Sequence, residues 1–335
     1  MKKIFFLLLP FVLILCTCEK NDDGPDSNGI ISIPDTVFLY ALIDEGVDTN
    51  GDSLISYAEA EAVKYLNFFR FLSSTISNAT DLTGIEAFIN LDTLSATNIT
   101  GIRELDLSKL TKLKYLDVGG GACECGCSGK GSLQNINITK CALLETLKCD
   151  AISLTNLDVS KNTKLSYLDC SWNYISELDV SNNTAIEKIF CGINGLTNLN
   201  VSKNTSLTIL SCEWNQIISL DVSSNTALVD LNCWDNELTE LDVSNNSALK
   251  VLRCWGNSLI SLDVYNNTAL IGLDCSGNQL TILDISNCTQ INNLRLTHME
   301  SLTKVCVWTT PFPPGGVEVA TGESPNVYFT TDCSN

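Results

Sequence analysis

The sequence is poor in histidine, in basic residues and in long apolar runs, and each shortage argues against a class of protein. His298 is the single histidine among 335 residues, so zinc sites built on several histidines are excluded and any catalytic triad would depend on it. Lysine plus arginine number 20 against 39 aspartates plus glutamates, a net charge of −19, which argues against binding nucleic acid through a basic surface. Beyond residue 15 no apolar stretch is long enough to cross a bilayer.

The amino terminus has the pattern of an export signal. Two lysines precede apolar residues 4–15, and a helix of that length would cover only about 18 Å of a bilayer core about 30 Å thick. Residues 1–17 are therefore predicted to be a signal peptide. Its end, Leu-Cys-Thr-Cys at 15–18, resembles the lipobox of bacterial lipoproteins, and the small Thr17 implies lipidation of Cys18. An ordinary secretory signal with an incidental cysteine is the alternative.

Residues 18–34 are rich in Asp, Asn, Gly and Ser and are predicted to be a flexible tether. The acidic segment directly after Cys18 resembles the surface-export tag of some Gram-negative lipoproteins. These resemblances imply a protein anchored to the outer membrane through its lipid alone and exposed at the cell surface.

Residues 35–78 are predicted to be a helical cap that contains a calcium loop. A helix over 35–43 has Asp35 as its N-cap, and a second helix over 57–66 follows the loop. The loop resembles an EF-hand or dockerin loop, with oxygen side chains at the ligand positions. The resemblance implies as ligands Asp48, Asn50, Asp52, the backbone carbonyl of Leu54, Ser56 through water, and Glu59.

Two features qualify this calcium loop. The glycine usual at its sixth position is Ser53, which would have to adopt a left-handed conformation at a cost of about 1 kcal/mol. Ser56 and Glu59 also form a capping-box pattern, and a helix cap without calcium is the alternative. No second loop is there to pair with the first, so we expect one structural Ca²⁺ rather than a sensor.

A 21-residue period dominates the rest of the chain. Leu-Asp-Val-Ser at 157–160 recurs in steps of 21 residues as far as Leu-Asp-Ile-Ser at 283–286, and earlier copies start at Leu82, Leu105 and Ile136. The second half of each unit follows Leu-x-x-Leu-x-Cys-x-x-Asn-x-Leu/Ile. Over residues 79–304 this pattern resembles bacterial leucine-rich-repeat proteins of the 21-residue class, with an internalin-like arrangement.

The period predicts a stacked architecture. One 21-residue turn cannot bury its own leucine face, so copies must stack at about 4.8 Å per turn. We expect a β-rich, right-handed, weakly curved leucine-rich-repeat solenoid with two short strands per turn and the helical region at its start. Residues 305–335 are predicted to form a C-terminal cap closed by a disulfide between Cys306 and Cys333.

Seven of the 16 cysteines share the repeat period. Each takes an inward position of its strand, where a small apolar thiol suits a narrow core. Because parallel in-register strands direct their Cβ atoms the same way, which is poor geometry for a disulfide, we expect a core ladder of free thiols. The seven are Cys149, Cys170, Cys191, Cys212, Cys233, Cys254 and Cys275. Cys123, Cys125 and Cys127 lie in a glycine-rich insertion near 119–131, and with Cys141 they could form disulfides or bind a soft metal.

Polar residues repeat with the same period. Two asparagine columns are predicted to satisfy backbone groups of neighbouring turns. Aspartates one repeat apart, from Asp158 to Asp284, repel one another by about 1 kcal/mol at the dielectric constant of water. They must either accept hydrogen bonds from nearby hydroxyls and amides, which we favour, or bind cations along the edge.

The outward positions of the cysteine-containing strand vary, and large aromatic residues lie there or just beyond. Such residues are costly in water unless something covers them, and Trp and Arg are favoured interface anchors. The predicted ligand-binding residues are Phe190, Trp214, Trp234, Arg253 and Trp255. The alternative is that the tryptophan rings fold over the loop edge and pack on neighbouring repeats.

The sequence contains no recognisable nucleophile–base constellation, so we do not expect an enzyme. The resemblance implies a monomeric, non-enzymatic surface protein whose solenoid binds a protein or a glycan in adhesion or host interaction. The alternative is a structural or accessory subunit of an outer-membrane complex for nutrient capture.

Overall fold

The computed structural model describes residues 29–68, 76–120 and 131–333. Helices occupy only the first part of the described chain: α1 (Thr36–Asp44), α2 (Tyr57–Ala62) and two single-turn 3₁₀ helices, Ile76–Asn78 and Ile85–Ala87. None of the helices in these ranges is long and apolar enough to span a membrane.

Both predicted helix starts are confirmed, and one predicted end is wrong. Asp35 caps α1, since its Oδ1 accepts a hydrogen bond of 2.9 Å from the Phe38 amide. Ser56 and Glu59 form the capping box of α2. The second helix ends at Ala62 rather than near residue 66, because Tyr65–Asn67 is the first strand of the main sheet.

Every strand of the described chain is three residues long. The strands are β1 (Tyr65–Asn67), β2 (Thr93–Ser95), β3 (Glu104–Asp106), β4 (Tyr115–Asp117), β5 (Asn135–Asn137), β6 (Thr146–Lys148), β7 (Tyr167–Asp169), β8 (Lys188–Phe190), β9 (Ile209–Ser211), β10 (Asp230–Asn232), β11 (Val251–Arg253), β12 (Gly272–Asp274), β13 (Ile282–Asp284), β14 (Asn293–Arg295), β15 (Lys304–Cys306), β16 (Glu318–Ala320) and β17 (Tyr328–Thr330).

These strands form one long sheet and two small ones. The main sheet has 12 strands in the order β1-β2-β4-β6-β7-β8-β9-β10-β11-β12-β14-β16, and β13-β15-β17 and β3-β5 form the others. Each ladder is parallel and in register, so that Leu231 of β10 faces Leu210 of β9 and Leu252 of β11. The stacking of turns predicted from the 21-residue period is confirmed.

The core runs along the whole stack. The middle residue of each strand from β6 to β12 is buried, and the cysteine that follows the strand is buried beside it. All seven periodic cysteines are fully buried free thiols, as predicted. Burial raises the pKa of Cys233 to about 12, so these thiols are packing groups rather than nucleophiles.

The predicted second strand of each turn forms only near the two ends of the solenoid. Between residues 138 and 281 the Leu-Asp-Val segments form no strand, apart from a bridge between Asp263 and Asp284. Their side-chain hydrogen bonds are of the kind also seen where a strand forms, since Asp284 Oδ1 in β13 accepts from the Ser286 amide. Asp158 Oδ1 accepts a hydrogen bond of 2.9 Å from the Ser160 amide, and Asn183 Nδ2 donates one of 2.9 Å to the Val159 carbonyl.

The aspartate column is held by hydrogen bonds, as favoured from the sequence. The carboxylate at each repeat accepts from the amide two residues later, as at Asp179, Asp221 and Asp242. The side-chain and backbone hydrogen bonds of Ser160 hold the pKa of Asp158 below its usual value. The stacked charges are thus stabilised locally in their ionised form.

Both predicted asparagine ladders are present and join neighbouring turns. Asn215 Nδ2 donates to the carbonyls of Cys191 (3.1 Å) and Cys212 (3.0 Å), while its Oδ1 accepts from the Leu196 amide (3.0 Å). In the second ladder each amide donates to carbonyls of the preceding turn, as Asn183 does to Asn162 (2.9 Å).

A cysteine replaces asparagine at each end of the second ladder. Cys141 and Cys288 are fully buried free thiols. The Sγ of Cys141 donates to the Leu107 carbonyl at 3.3 Å, and that of Cys288 to the Val264 carbonyl at 3.4 Å. The predicted grouping of Cys141 with the cysteines of the insertion is therefore wrong, because its thiol points into the core.

The C-terminal cap contains no disulfide in the part of the chain that the structure describes. Cys306 and Cys333 are both free, which corrects the predicted bond between them. The cap is instead closed by strand pairing, since β15 lies between β13 and β17, and by packing of the Trp308, Phe312 and Phe329 rings.

Candidate binding site on the outer face of the sheet

The outer face of the main sheet is formed by the first and third residues of its strands. The middle residue points into the core, so these flanking residues and the loop residues just after the strands are the ones that a partner can reach. They vary from repeat to repeat, whereas the inward positions do not. This face is therefore the candidate surface for recognition.

Three tryptophans form a continuous group beside β9, β10 and β11, here called the tryptophan row. The ring centroids of Trp214 and Trp234 are 5.6 Å apart at an interplanar angle of 81°, and those of Trp234 and Trp255 are 5.2 Å apart at 51°. Trp214 is 50% exposed and the other two are half-buried. The rings pack on one another along the repeats and still present a large aromatic surface.

The tryptophan row includes a residue in an unfavourable backbone conformation. Trp214 has a φ of 52°, in the left-handed region, and occupies the same place in its turn as Gly256 and Gly277. A non-glycine residue there costs about 1 kcal/mol. The fold tolerates a tryptophan at this position because the in-register ladders on both sides define the backbone.

Two arginines lie next to the tryptophan row in one column of the outer face. Arg253 Nη1 forms an ion pair of 2.9 Å with Asp230 Oδ1, between side chains 47% and 31% exposed. Arg295 forms no ion pair with any described residue, although Asp274 is its register partner. Sequence reasoning missed Arg295, which stands two periods after Arg253 (295 − 253 = 42).

The row and the arginines border a cleft at the C-terminal end of the outer face. Its volume is about 790 Å³. The residues that define it include Trp234, Trp255, Arg253, Arg295, Asn293 and Glu318. This cleft joins apolar aromatic surface to a guanidinium that has no ion-pair partner among the described residues, which suits a ligand with an apolar group next to an oxyanion.

Phe190 belongs to a second aromatic group on the same face. Its ring lies 5.5 Å from that of Tyr167, and among the described residues it has no ring contact with the tryptophan row. The Lys148 ammonium lies 5.9 Å from the Tyr115 ring centroid and 5.8 Å from that of Tyr167. The structure thus divides the predicted strip of aromatic residues into two groups.

Carboxylates surround this second group. Burial, with the charge of Asp169 added, raises the pKa of Asp150 to about 6. Burial likewise raises the pKa of Asp169, and the Lys148 charge opposes the shift in both residues. Lys148 thus opposes only part of the shift, and these carboxyl groups hold their protons more tightly than carboxyl groups in water do.

His298, on which any triad would depend, lies at an exposed edge of the cleft. Its Nε2 is 3.0 Å from Glu323 Oε2, and the two side chains are 59% and 75% exposed. Within the described ranges no hydroxyl or thiol donates a hydrogen bond to its ring. This pairing resembles a surface contact rather than the oriented general base of a nucleophilic site.

Side chains of the predicted calcium loop accept hydrogen bonds from its own backbone amides. Asp48 accepts hydrogen bonds from the amides of Gly51 (2.7 Å) and Ser53 (2.9 Å), and Asn50 accepts one from Asp52 (2.8 Å). Ser53 adopts the left-handed conformation that the sequence required, with a φ of 65°. These bonds fix the turn conformation of residues 48–53.

Glu59 is oriented for the last position of that loop. Its Oε1 accepts from the amide and hydroxyl of Thr49, and its Oε2 from the amide and hydroxyl of Ser56. The hydrogen bond from the Ser56 amide is the main cause that lowers the pKa of Glu59 to about 2. If the two hydroxyls rotate away, each oxygen keeps a lone pair for a cation, so the residues present fit Ca²⁺.

The neighbouring backbone completes the loop. Ile55, at its apolar position, accepts a hydrogen bond of 2.8 Å from the Ile31 amide, and Ile30 forms an antiparallel bridge with Ser56. Residues 29–31 thus pair with the backbone of the loop, a contact that sequence reasoning did not identify.

Other predicted sites lie outside the described residues. They are the lipidated Cys18 and the three cysteines of the insertion, Cys123, Cys125 and Cys127.

The stacked parallel turns, the leucine core and the asparagine and cysteine ladders define a leucine-rich-repeat β-solenoid. Among solved structures the chain is similar to the functional domain of InlJ from Listeria monocytogenes, which includes a cysteine ladder. The two are 35% identical, the match has a TM-score of 0.71, and it covers 82% of this chain and 56% of that one. This chain thus spans little more than half the length of the InlJ structure.

Two further structures share the fold. The internalin InlF from L. monocytogenes is 20% identical with a TM-score of 0.58, over 90% of this chain and 96% of that one. The ectodomain of the Arabidopsis thaliana receptor kinase GASSHO1/SCHENGEN3 was solved in complex with CASPARIAN STRIP INTEGRITY FACTOR 2. It is 19% identical with a TM-score of 0.50, and the match covers 67% of this chain and 33% of that one. No protein-family model and no curated protein matches the chain. Its structural neighbours include bacterial internalin-like leucine-rich-repeat proteins.

Proposed function

We propose that this protein is a non-enzymatic binding protein that takes a protein partner on the C-terminal half of its outer face. The observation that carries the proposal is the tryptophan row beside a cleft of about 790 Å³ that Arg295 enters without an ion pair among the described residues. Trp and Arg are the residues that most often dominate the binding energy of interfaces.

The chemistry of the cleft indicates what the partner presents. An aromatic or aliphatic side chain would pack against Trp234 and Trp255, and a neighbouring carboxylate would bind the Arg295 guanidinium. Arg253 already contacts Asp230, so it contributes less new interaction energy than Arg295. The complex between the GASSHO1/SCHENGEN3 ectodomain and CASPARIAN STRIP INTEGRITY FACTOR 2 is a precedent for binding by this fold.

Peptide display tests this proposal. The full-length protein is immobilised, a random peptide library displayed on phage is selected on it, and peptides that bind the Arg295→Gln variant equally well are removed. We expect the enriched peptides to carry Asp or Glu beside an aromatic or aliphatic residue. Failure to enrich any peptide, together with specific signals on a glycan array, would show that the partner is a glycan and would contradict the proposal.

We also infer that the protein acts outside the cytoplasm, anchored to the outer membrane through Cys18 and exposed at the cell surface, in adhesion or host interaction. The predicted signal over residues 1–17 and the lipobox-like end support this location. Labelling cells with a fatty-acid analogue should mark the wild-type protein and leave Cys18→Ser unmarked. Protease added to intact cells should degrade the wild-type protein if it is exposed at the surface.

We further propose that the loop at 48–59 binds one structural Ca²⁺ through Asp48, Asn50, Asp52, the Leu54 carbonyl, Ser56 through water, and Glu59. The turn geometry and the oriented Glu59 carboxylate support this assignment. A bound cation would offset the charges of the loop and hold α1 and α2 together at the start of the solenoid.

Calorimetry on the full-length protein after removal of calcium with EDTA tests the site. We expect one Ca²⁺ per chain and a higher melting temperature with calcium, and we expect both effects to disappear in Asp48→Ala. An absence of heat of binding, with Asp48→Ala as stable as the wild type, would leave only a helix cap at this place.

A further inference from the structure

We propose that Asp284, Cys306 and Cys333 form a binding site for a borderline-soft divalent cation such as Zn²⁺. One carboxylate oxygen and the two sulfur atoms all lie within 4.8 Å of one another. Across residues 29–68, 76–120 and 131–333 this is the one group of three or more His, Cys, Asp or Glu residues gathered so closely.

The three ligands come from three places in the cap, and the strand register brings them together. Asp284 ends β13 and is the register partner of Cys306, which ends β15. Cys333 follows β17, the strand that pairs with the other side of β15. A cation held here would connect the first and last strands of the small sheet and so fasten the C-terminal end of the solenoid.

The side chains are arranged for coordination. Cys306 is only 3% exposed, Cys333 is half-buried, and Asp284 is exposed to solvent. The Asp284 Oδ1 accepts a hydrogen bond of 2.9 Å from the Ser286 amide, which orients the carboxylate in the way that outer-shell donors orient metal ligands. The site is therefore buried on the side of Cys306 and open to solvent on the side of Asp284, which leaves room for water as a fourth ligand.

The donor set selects the type of cation. Zinc–sulfur bonds of about 2.3 Å place tetrahedral ligands roughly 3.8 Å apart, a separation that the 4.8 Å limit on these three atoms permits. Two thiolates favour zinc and similar ions over Ca²⁺ or Mg²⁺, which prefer oxygen ligands. Binding replaces the two S–H bonds with metal–sulfur bonds and releases two protons to water.

Cobalt serves as the spectroscopic probe for this site. The full-length protein is fully reduced, freed of reductant without air and titrated with Co²⁺, then with Zn²⁺. We expect thiolate-to-cobalt absorption in the near ultraviolet and the intense visible bands of tetrahedral cobalt. One equivalent of Co²⁺ per chain should account for a part of this signal that Zn²⁺ removes. The Cys333→Ser variant should lack that part. Asp284→Asn should weaken the affinity of that equivalent by at least about tenfold.

Two controls separate this site from other causes. Asp263→Asn removes the aspartate one period earlier (284 − 21 = 263), which lies outside the cluster and should bind cobalt as the wild type does. Cys333→Ser should keep the melting temperature of the metal-free protein, because Cys333 lies beyond the last strand. The proposal fails if the spectra of the wild type and Cys333→Ser coincide. It also fails if protein isolated without reductant yields a Cys306–Cys333 disulfide peptide.

Discussion

The two halves of the outer face carry aromatic residues in different surroundings. In the N-terminal half, the Lys148 ammonium lies over the Tyr115 and Tyr167 rings, and carboxylates surround it. In the C-terminal half, the tryptophans contact one another, and Arg295 has no ion pair within the described residues. The cation of the first group lies against rings of the protein itself, whereas the second group has aromatic surface and a guanidinium to offer a partner.

This difference shows that an exposed aromatic residue is not by itself a sign of a binding site. Phe190 is the last residue of β8, and Trp234 lies two residues after the end of β10. Of the two, Trp234 borders the cleft described above. What distinguishes them is whether the neighbouring cation lies against aromatic rings of its own group. Lys148 lies over Tyr115 and Tyr167, whereas Arg295 forms no ion pair within the described residues. Matched substitutions in the two halves test that distinction.

The largest effect is expected from truncating the aromatic residues themselves. Trp234→Ala with Trp255→Ala should weaken binding of a peptide selected on the wild type by at least about 100-fold, since hot-spot residues contribute about 2 kcal/mol or more each. Tyr167→Ala with Phe190→Ala should change that affinity less than about twofold and lower only the melting temperature. Calorimetric titration and thermal melting measure both quantities, and an equal reduction of affinity in the two double variants would contradict the comparison.

A smaller and reciprocal effect is expected from the two cations. Arg295→Gln should reduce peptide affinity about tenfold or more because a charge-assisted hydrogen bond is removed, and its melting temperature should not change because the guanidinium has no ion pair among the described residues. Lys148→Gln should leave affinity unchanged and lower stability by about 0.5–1 kcal/mol for each of its two cation–π interactions. Calorimetric titration measures the change in peptide affinity, and thermal melting measures the change in stability. A weaker affinity in Lys148→Gln would show that the N-terminal half also binds the peptide.

The smallest effect is expected in the dependence of stability on pH. The folded-state pKa of Asp150 is about 6, above the ordinary 3.8, so the native state holds its proton more tightly than the unfolded chain. Its contribution to stability therefore falls as pH rises from 3.8 to 6, by about 1 kcal/mol once solvent screening of this partly exposed group is taken into account. The melting temperature of the wild type relative to Asp150→Asn should drop by a few degrees across this window.

A carboxylate with the opposite shift is the control for that titration. Hydrogen bonds from Ser160 hold the pKa of Asp158 below 3.8, so the wild type and Asp158→Asn should keep a constant difference between about pH 4 and 7. A flat profile for Asp150→Asn would mean that its carboxyl is solvated and that burial and the charge of Asp169 do not raise its pKa.

The repeats could be predicted from the sequence because each inward residue recurs at a fixed interval. The leucines, the cysteine ladder and both asparagine ladders occupy the positions that the 21-residue period predicts. The N-cap Asp35 and the left-handed Ser53 were also predictable, since each follows from a local rule about hydrogen bonds or backbone sterics.

The errors arose where contacts depend on residues far apart in the chain. The end of α2 was misplaced because β1 forms only through pairing with β2, which comes much later in the chain. Cys141 was grouped with its neighbours in sequence, although its thiol bonds the carbonyl of Leu107 in the preceding turn. Arg295 was missed because nothing local shows which guanidinium lacks a carboxylate; that depends on the packing of adjacent turns.

The amide donors of the second asparagine ladder reach toward the preceding turn rather than the following one. Asn204 donates to Val180 and Asn183, and Asn225 donates to Val201 and Asn204. The asparagine side chains of each turn therefore find their acceptors in a turn nearer the amino terminus. The amides that follow the strands point the other way, since the Cys170 amide donates to the Phe190 carbonyl of the next turn at 2.8 Å. An interior turn is thus joined to both neighbours by separate sets of bonds, and a terminal turn lacks one of the sets, which is a physical reason why a solenoid needs caps.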